Sequence, residues 1–305
     1  MNSINLTSKE QSDLLYNPSI FDYLELMKPK VMSLVIFTTL VGMYLAPNHI
    51  HPVLSFFSIV AIALGAGSAG AMNQWIDQDV DSVMLRTKER PIPSGRVDPA
   101  EAITFSLVVA LISIIMLGLA SNWFAASLLL FTIIFYSVIY SIILKRKTPQ
   151  NIVIGGAAGS LPPVIGWVSM TGNISLFPII MFMIIFLWTP PHFWALALVK
   201  SEDYQRARIP MMPNVVGKIS TKKQILCYSI LVLLFSISPY YLELAGILYL
   251  LSAIFLNLIF ISFSVGIMIF PNKKLEIPLF AYSILYLFGI FAFLVFDKYF
   301  FGPTI

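Results

Sequence analysis

Three residues set the chemical problem. Asn73, Asp77 and Asp81 follow one another at intervals of four in "NQWIDQDVD", directly after an apolar, small-residue run. On a helix continuing from that run they stack along one face over about two turns. Carboxylates stacked this way repel, so stability alone gives no reason for them. A divalent cation relieves the repulsion, and Mg2+ takes hard oxygen ligands, commonly one or two carboxylates together with phosphate oxygens. Asp79 lies off this face and reads as solvated.

Arg86, Lys88, Arg90 and Arg96 follow at once. Guanidinium groups fork onto phosphate oxygens, so acid-held metal beside such cations fits a diphosphate. The stretch "RPIPSGR" carries two prolines and a glycine and predicts an ordered loop rather than more helix. A second patch lies in "SEDYQRARIPMMP", where Glu202 and Asp203 adjoin Arg206 and Arg208. The two patches are expected to converge on one diphosphate. The metal ligands and catalytic residues are then Asn73, Asp77, Asp81 and Asp203. Arg86, Lys88, Arg90 and Arg206 meet the phosphate charge.

His192 is the third feature, inside an apolar run just after Pro190 and Pro191. A titratable ring at membrane depth is costly and marks function. The prolines are expected to break the helix there and free backbone carbonyls. A hydrogen bond to such a carbonyl, or plain packing, are the two structural readings of the same ring.

The elements that must position these residues are membrane spans. The chain is 58% hydrophobic and 11% charged, against about 45–50% and about 25% in soluble domains. Long apolar runs recur throughout, which excludes an ordinary soluble protein. Nine runs of spanning length are predicted, roughly 31–47, 52–74, 101–120, 123–144, 151–170, 175–198, 224–242, 245–269 and 278–297. The fold class is therefore all-α. It is a polytopic bundle of nine transmembrane helices, with cytoplasmic polar loops capping a central cavity. Residues 1–25 form a polar cytoplasmic arm, and 26–300 a single transmembrane domain. One cysteine, Cys227, rules out a disulfide within the chain.

Of the 19 lysines and arginines, all but Lys298 fall in the N-terminal arm or the even-numbered loops. The positive-inside rule places the N-terminus in the cytoplasm and the C-terminus outside, in a cell membrane of prokaryotic type. Lys145, Arg146, Lys147, Lys273 and Lys274 read as topology signals alone. The net charge of +4 is thus spent at membrane ends. The bilayer is the expected macromolecular partner, and nucleic acid is not.

An ionic diphosphate head and a long apolar tail would suit the two halves of such a site, which points to prenyl diphosphates. Their ionisation leaves an allylic cation that must be kept from water. Aromatic residues, 14% of the chain, can stabilise it through their ring faces.

"NQWIDQDVD" resembles the N-x-x-x-D-x-x-x-D motif of the UbiA-type intramembrane prenyltransferases. "RTKERPIPSGR", "TPQNIVIGGAAGSLPPVIGW", "LWTPPHFWALAL" and "EDYQRARIPMMP" resemble the heme-farnesylating branch of that family, over roughly residues 22–297. The resemblance implies nine helices, Mg2+, farnesyl diphosphate and heme b as substrates, heme O as product and a downstream heme A synthase. It also implies electrophilic transfer: diphosphate departs, a heme vinyl group attacks the farnesyl cation, and water quenches the result. Heme rests on the resemblance, with His192 as the one consistent residue. The chain departs from the family twice. Ala207 stands where a second acid is common, and Arg208 where the heme branch usually has glycine.

Two rivals remain. A related enzyme would prenylate a quinone precursor or a chlorophyll-like acceptor, which an acceptor assay separates. A membrane transporter would show paired repeats and broken helices at mid-membrane, and no convincing repeat pairing is present. The charge distribution predicts that tags on the two termini report opposite sides of the membrane, the N-terminal one cytoplasmic. Both on one side would remove the nine-span arrangement.

Overall fold

The computed structural model describes residues 18–270 and 274–301. Lys9, Lys273 and most of the 1–25 arm lie outside the described residues. Among the described residues every regular element is helical. They are α1 (Ile20–Leu26), α2 (Pro29–Leu45), α3 (Pro52–Ile76), α4 (Gln78–Val83), α5 (Pro99–Ala120), α6 (Trp123–Ile134) with a π-helical extension (Phe135–Leu144), α7 (Asn151–Ser160), α8 (Pro162–Thr171), α9 (Leu176–Val199), α10 (Ser201–Arg206), α11 (Met212–Val215), α12 (Lys218–Tyr241), α13 (Ile247–Ile269) and α14 (Glu276–Phe301).

Among the described residues eight spans are long and apolar enough to cross a membrane, counting Trp123–Lys147 and Asn151–Thr171 as one each. α1 and α2, bent by 59° between them, make a ninth when taken together as one span. Local chemistry sets the ends. Proline occupies the first turn of α2, α3, α5 and α8, where its missing N–H costs nothing. The Asp98 and Asn122 side chains accept backbone N–H groups at the starts of α5 and α6.

α9 corrects one expectation. Pro190 and Pro191 lie inside an unbroken helix. The span is buried against α7, α12 and α14, and neighbours of this kind let a membrane helix carry prolines. Trp188 Nε1 donates to the Ser283 carbonyl at 2.8 Å, and Thr189 Oγ1 to that of Ile185 at 2.8 Å. Both bonds hold the turn that the prolines weaken.

Consecutive spans pack side by side, and α14 returns against α2 to close the bundle. Small residues permit the closest approach. A Cβ on Gly42 would lie 2.1 Å from the Pro163 carbonyl oxygen, and one on Gly166 2.4 Å from that of Thr39, so α2 and α8 meet backbone to backbone. In the second half, Asn257 Nδ2 donates to Ser236 Oγ (2.7 Å) and Tyr286 OH to Asn257 Oδ1 (3.0 Å). This buried polar set joins α12, α13 and α14 without leaving a bare group in the apolar interior.

Ion pairs tie one end and charged side chains bound to backbone groups tie the other. At one end Arg96 binds Asp22 and Glu25, and Lys222 binds Glu276 at 2.8 Å. At the other, Asp297 accepts from the Gly246 and Tyr249 amides. Lys298 there donates to the carbonyls ending α2.

Arg208, just after α10, is exposed and left-handed, with φ +55°. A side chain in that region costs about 1–2 kcal/mol that glycine does not. Arg208→Gly should therefore raise the melting temperature in detergent by a few degrees. Thermal unfolding of the two proteins checks this, and a lower melting temperature would mean that the Arg208 side chain is itself stabilising.

Candidate active site

α3 hands its last residues to α4 almost without interruption. Asp77 N bonds to Asn73 O (3.0 Å) and Asp81 N to Asp77 O (2.7 Å). The spacing of four therefore becomes a column of three side chains. All are buried: Asn73 at 4% exposure, Asp77 at 0% and Asp81 at 2%. Charges buried this way must be paired.

The pairing comes from three other parts of the chain. Lys28 Nζ donates to Asn73 Oδ1 at 2.6 Å. Asn73 Nδ2 in turn donates to Asp77 Oδ2 (2.6 Å) and Ser141 Oγ (2.8 Å). Lys145 Nζ reaches Asp77 Oδ2 at 2.5 Å, and Arg90 reaches Asp81 Oδ2 at 2.6 Å. Arg146 forks onto Asp79 at 2.7 and 2.8 Å. That bond, foremost, holds the Asp79 carboxyl below the usual carboxylate range.

Two sequence expectations change here. Lys145 and Arg146 are not topology signals alone, because they neutralise Asp77 and Asp79. Asp79 is largely exposed but paired. The π-helical extension explains Lys145: its amide bonds to Tyr140 O, five residues back, and Ser141 Oγ donates to Tyr136 O. The wide turn carries Ser141 and Lys145 to the acid column, where a π-helix in a functional region is a recurring device. It also stacks Tyr136 on Tyr140 at 5.3 Å, with Lys28 Nζ 6.0 Å from the Tyr136 ring. Tyr140 fits because Gly155 faces it; a Cβ there would come within 2.2 Å of the ring.

The other expected residues are placed differently. Arg86 and Lys88 are exposed on the loop after α4, and the nearest acid to Lys88 is Glu89 at 3.7 Å. Asp203 is buried at 6% and sits 3.6 Å from Arg206 on its own short helix. Among the described residues no three His, Cys, Asp or Glu side chains lie close enough to share one ion. Each acid is turned toward a cation instead.

The donor set nonetheless fits a hard cation. Its ligand atoms are all oxygen, and Asp77 Oδ1 is buried without a hydrogen-bond partner. An Arg146 Nη2 lies 3.8 Å from it. A depression of about 540 Å3 is lined by Ile76, Gln78, Asp79, Ile142 and Arg146.

His192 lies elsewhere, on α9. Its ring is sandwiched between Trp188 (4.3 Å) and Phe280 (4.6 Å), and its Nδ1 is 2.6 Å from Ser283 Oγ. Ser283 Oγ already donates to the Phe280 carbonyl at 2.6 Å, so it accepts from His192 Nδ1–H. With Nδ1–H donated, the neutral form of the ring carries its lone pair on Nε2, the form that binds a metal. Its partner is the Ser283 hydroxyl on α14, not a carbonyl freed by the prolines.

The family defined as UbiA prenyltransferases matches residues 35–297. The chain belongs to this family. It is 49% identical over 95% of its length, and 92% of the relative's, to protoheme IX farnesyltransferase of Rhizobium rhizogenes. It is 52% identical to that of Agrobacterium fabrum, over 91% and 89%. The fold matches digeranylgeranylglyceryl phosphate synthase with a TM-score of 0.76, at 19% identity and 91% and 98% coverage. It also matches a UbiA homolog from Archaeoglobus fulgidus bound to DMAPP and Mg2+, with a TM-score of 0.62, 16% identity and 90% and 99% coverage. This UbiA-family chain is thus a multi-pass membrane prenyltransferase.

Proposed function

We propose that the chain transfers the farnesyl group of farnesyl diphosphate to a vinyl group of heme b, giving heme O and diphosphate. The observation that carries the donor half is the buried Asp77 carboxylate, with Lys145 on one oxygen and the other free of hydrogen bonds. The acceptor half is supported by the two relatives of about half identity, and by the free Nε2 of His192.

Asn73, Asp77 and Asp81 would hold Mg2+, with Asp203 contributing from the second patch. The ion supplies Lewis-acid charge neutralisation that makes diphosphate a better leaving group. Arg90, Arg86, Lys88 and Arg206 bind the phosphate oxygens and take up charge as the allylic C–O bond breaks, its electron pair leaving with diphosphate. The stacked Tyr136 and Tyr140 rings shelter the farnesyl cation. The vinyl π electrons form the new C–C bond. Water adds to the carbocation left beside the porphyrin and loses a proton, giving the hydroxyethyl group. The apolar bundle admits little other water. The reaction faces the cytoplasm in this reading, and heme O passes to a heme A synthase.

Three outcomes follow. Purified protein given heme b, farnesyl diphosphate and Mg2+ should yield heme O by mass analysis. Asp77→Ala, still folded, should lower turnover by about 10²-fold or more, and EDTA should stop it. Near-normal turnover in a folded Asp77→Ala variant would remove the metal assignment.

His192→Ala should weaken heme binding and shift the Soret band if Nε2 ligates the iron, while leaving farnesyl diphosphate binding intact. With affinity, spectrum and turnover all unchanged, the histidine would be structural, and heme would have to sit elsewhere.

A further inference from the structure

One charged pair at this end of the bundle is open to the outside. The Arg146 side chain is 37% exposed and that of Asp79 61%. The fork of Arg146 onto Asp79, with a further bond to the Ile76 carbonyl at 3.1 Å, uses three of the five guanidinium N–H groups. Among the described residues the other two donors are left over, and each Asp79 oxygen keeps room for a second donor. Both side chains line the depression of about 540 Å3, together with Ile76, Gln78 and Ile142. It is a fissure between the junction of α3 with α4 on one side and the π-helical extension on the other. Its wall carries one cation and one anion.

An apolar track leads to it. Ile134, Val138 and Ile142 are all exposed and recur every four residues, and the next step of four is Arg146. The span that bears them, Trp123–Lys147, is the least buried of the eight, at 22%, so this track faces lipid. A lipid-facing apolar track that ends in a charged fissure has the form of one phospholipid, with an acyl chain on the track and a headgroup in the fissure. Basic pockets between spans hold anionic headgroups. This one is not basic, because Asp79 offsets Arg146. Charge complementarity selects a headgroup that carries both signs.

We propose that the fissure binds one zwitterionic phospholipid with a primary amine, of the phosphatidylethanolamine type. Its phosphodiester oxygens accept the two spare Arg146 N–H groups, its ammonium donates to Asp79, and an acyl chain lies along Ile142, Val138 and Ile134. A trimethylammonium head has no N–H to give Asp79. A glycerol head brings net negative charge beside a carboxylate. The site does not depend on the farnesyl or the heme reading.

Native mass spectrometry of the full chain, delipidated in detergent, counts bound lipid directly. The probes are the palmitoyl-oleoyl forms of phosphatidylethanolamine, phosphatidylcholine and phosphatidylglycerol. The unaltered chain should take one phosphatidylethanolamine about tenfold more tightly than either of the others, the worth of one charge-assisted hydrogen bond. Equal binding of all three, or phosphatidylglycerol ahead, would overturn the proposal.

The variants carry opposite signs. Arg146→Gln should weaken phosphatidylethanolamine and phosphatidylglycerol alike, each about tenfold. Asp79→Asn should weaken phosphatidylethanolamine but tighten phosphatidylglycerol, because Arg146 is then unopposed. Loss of both lipids in Asp79→Asn would make the carboxylate a mere support for Arg146 and sink the ammonium contact. Lys147→Gln, on an exposed neighbour that does not line the fissure, should leave phosphatidylethanolamine binding unchanged; a loss equal to that of Arg146→Gln would reduce the effect to bulk charge. Ile142→Trp fills the fissure without altering charge, and serves should the charge variants fail to fold. It should cut phosphatidylethanolamine binding, and unchanged binding would place the lipid elsewhere. Displacement of the lipid by excess inorganic phosphate would assign the fissure to a free anion, and displacement by farnesyl diphosphate would assign it to the prenyl donor. Either result removes the lipid site.

Discussion

Everything at this end of the bundle follows from one constraint: two carboxylates are buried at the mouth of an apolar helix bundle, and each must find a cation. Water is not there to solvate Asp77, at 0% exposure, and the helix that carries it offers no counter-charge. The cations are recruited from the entry to α2, the end of the π-helical extension and the loop after α4. These segments are far apart in the chain, and pairing them requires a closed bundle. The charge cluster and the fold therefore specify each other, since the spans must return to one end in the right order for the acids to be neutral.

The entry to α2 illustrates the strain this exacts. Lys28 is left-handed, with φ +56°, immediately before Pro29. A non-glycine residue stays there only when its surroundings over-determine it. They do: Gln74 Nε2 donates to the Glu25 and Leu26 carbonyls that end α1, Arg96 clamps Asp22 and Glu25, and Lys28 itself is bound to Asn73. The 59° bend between α1 and α2 turns the ammonium toward the acid column. α1 is thus more than a polar arm, because its placement delivers one of the three cations.

How much of this could be read from the residues depended on range. The spans were legible because about twenty apolar residues in a row state themselves locally. The expected run 31–47 is Pro29–Leu45, and 175–198 is Leu176–Val199. The Asn73, Asp77 and Asp81 column was legible because four is close to one helical turn. The partners of those acids were not. Lys145 lies 68 residues from Asp77, at the end of a run whose basic tail has a sufficient explanation in membrane topology. Nothing local in "FYSVIYSIIL" announces a π-helix either; bundle packing around Tyr140 and Gly155 decides it. Pro190 and Pro191 misled for the complementary reason: a strong local signal was outweighed by neighbours that keep α9 intact.

That intact helix matters for the chemistry. A break at Pro190 would have freed a carbonyl to take the His192 proton on either nitrogen, leaving the tautomer open. With α9 continuous, Nδ1 meets the Ser283 hydroxyl of α14, whose own hydrogen is already given to Phe280 O. One tautomer survives, and Trp188 and Phe280 fix the plane of the ring from both faces. The lone pair on Nε2 is thereby oriented before any acceptor arrives, and its direction is set by α9 and α14, which supply none of the cations around Asp77 and Asp81. In the proposed reaction, the groups for donor and acceptor would then rest on separate supports. One is held by charge neutrality among α3, α4 and the π-helical extension, the other by aromatic packing between α9 and α14. The two supports differ in kind, charge pairing in one and ring stacking in the other, and so do the two substrates of the proposed reaction, an ionic diphosphate and a flat apolar ring system.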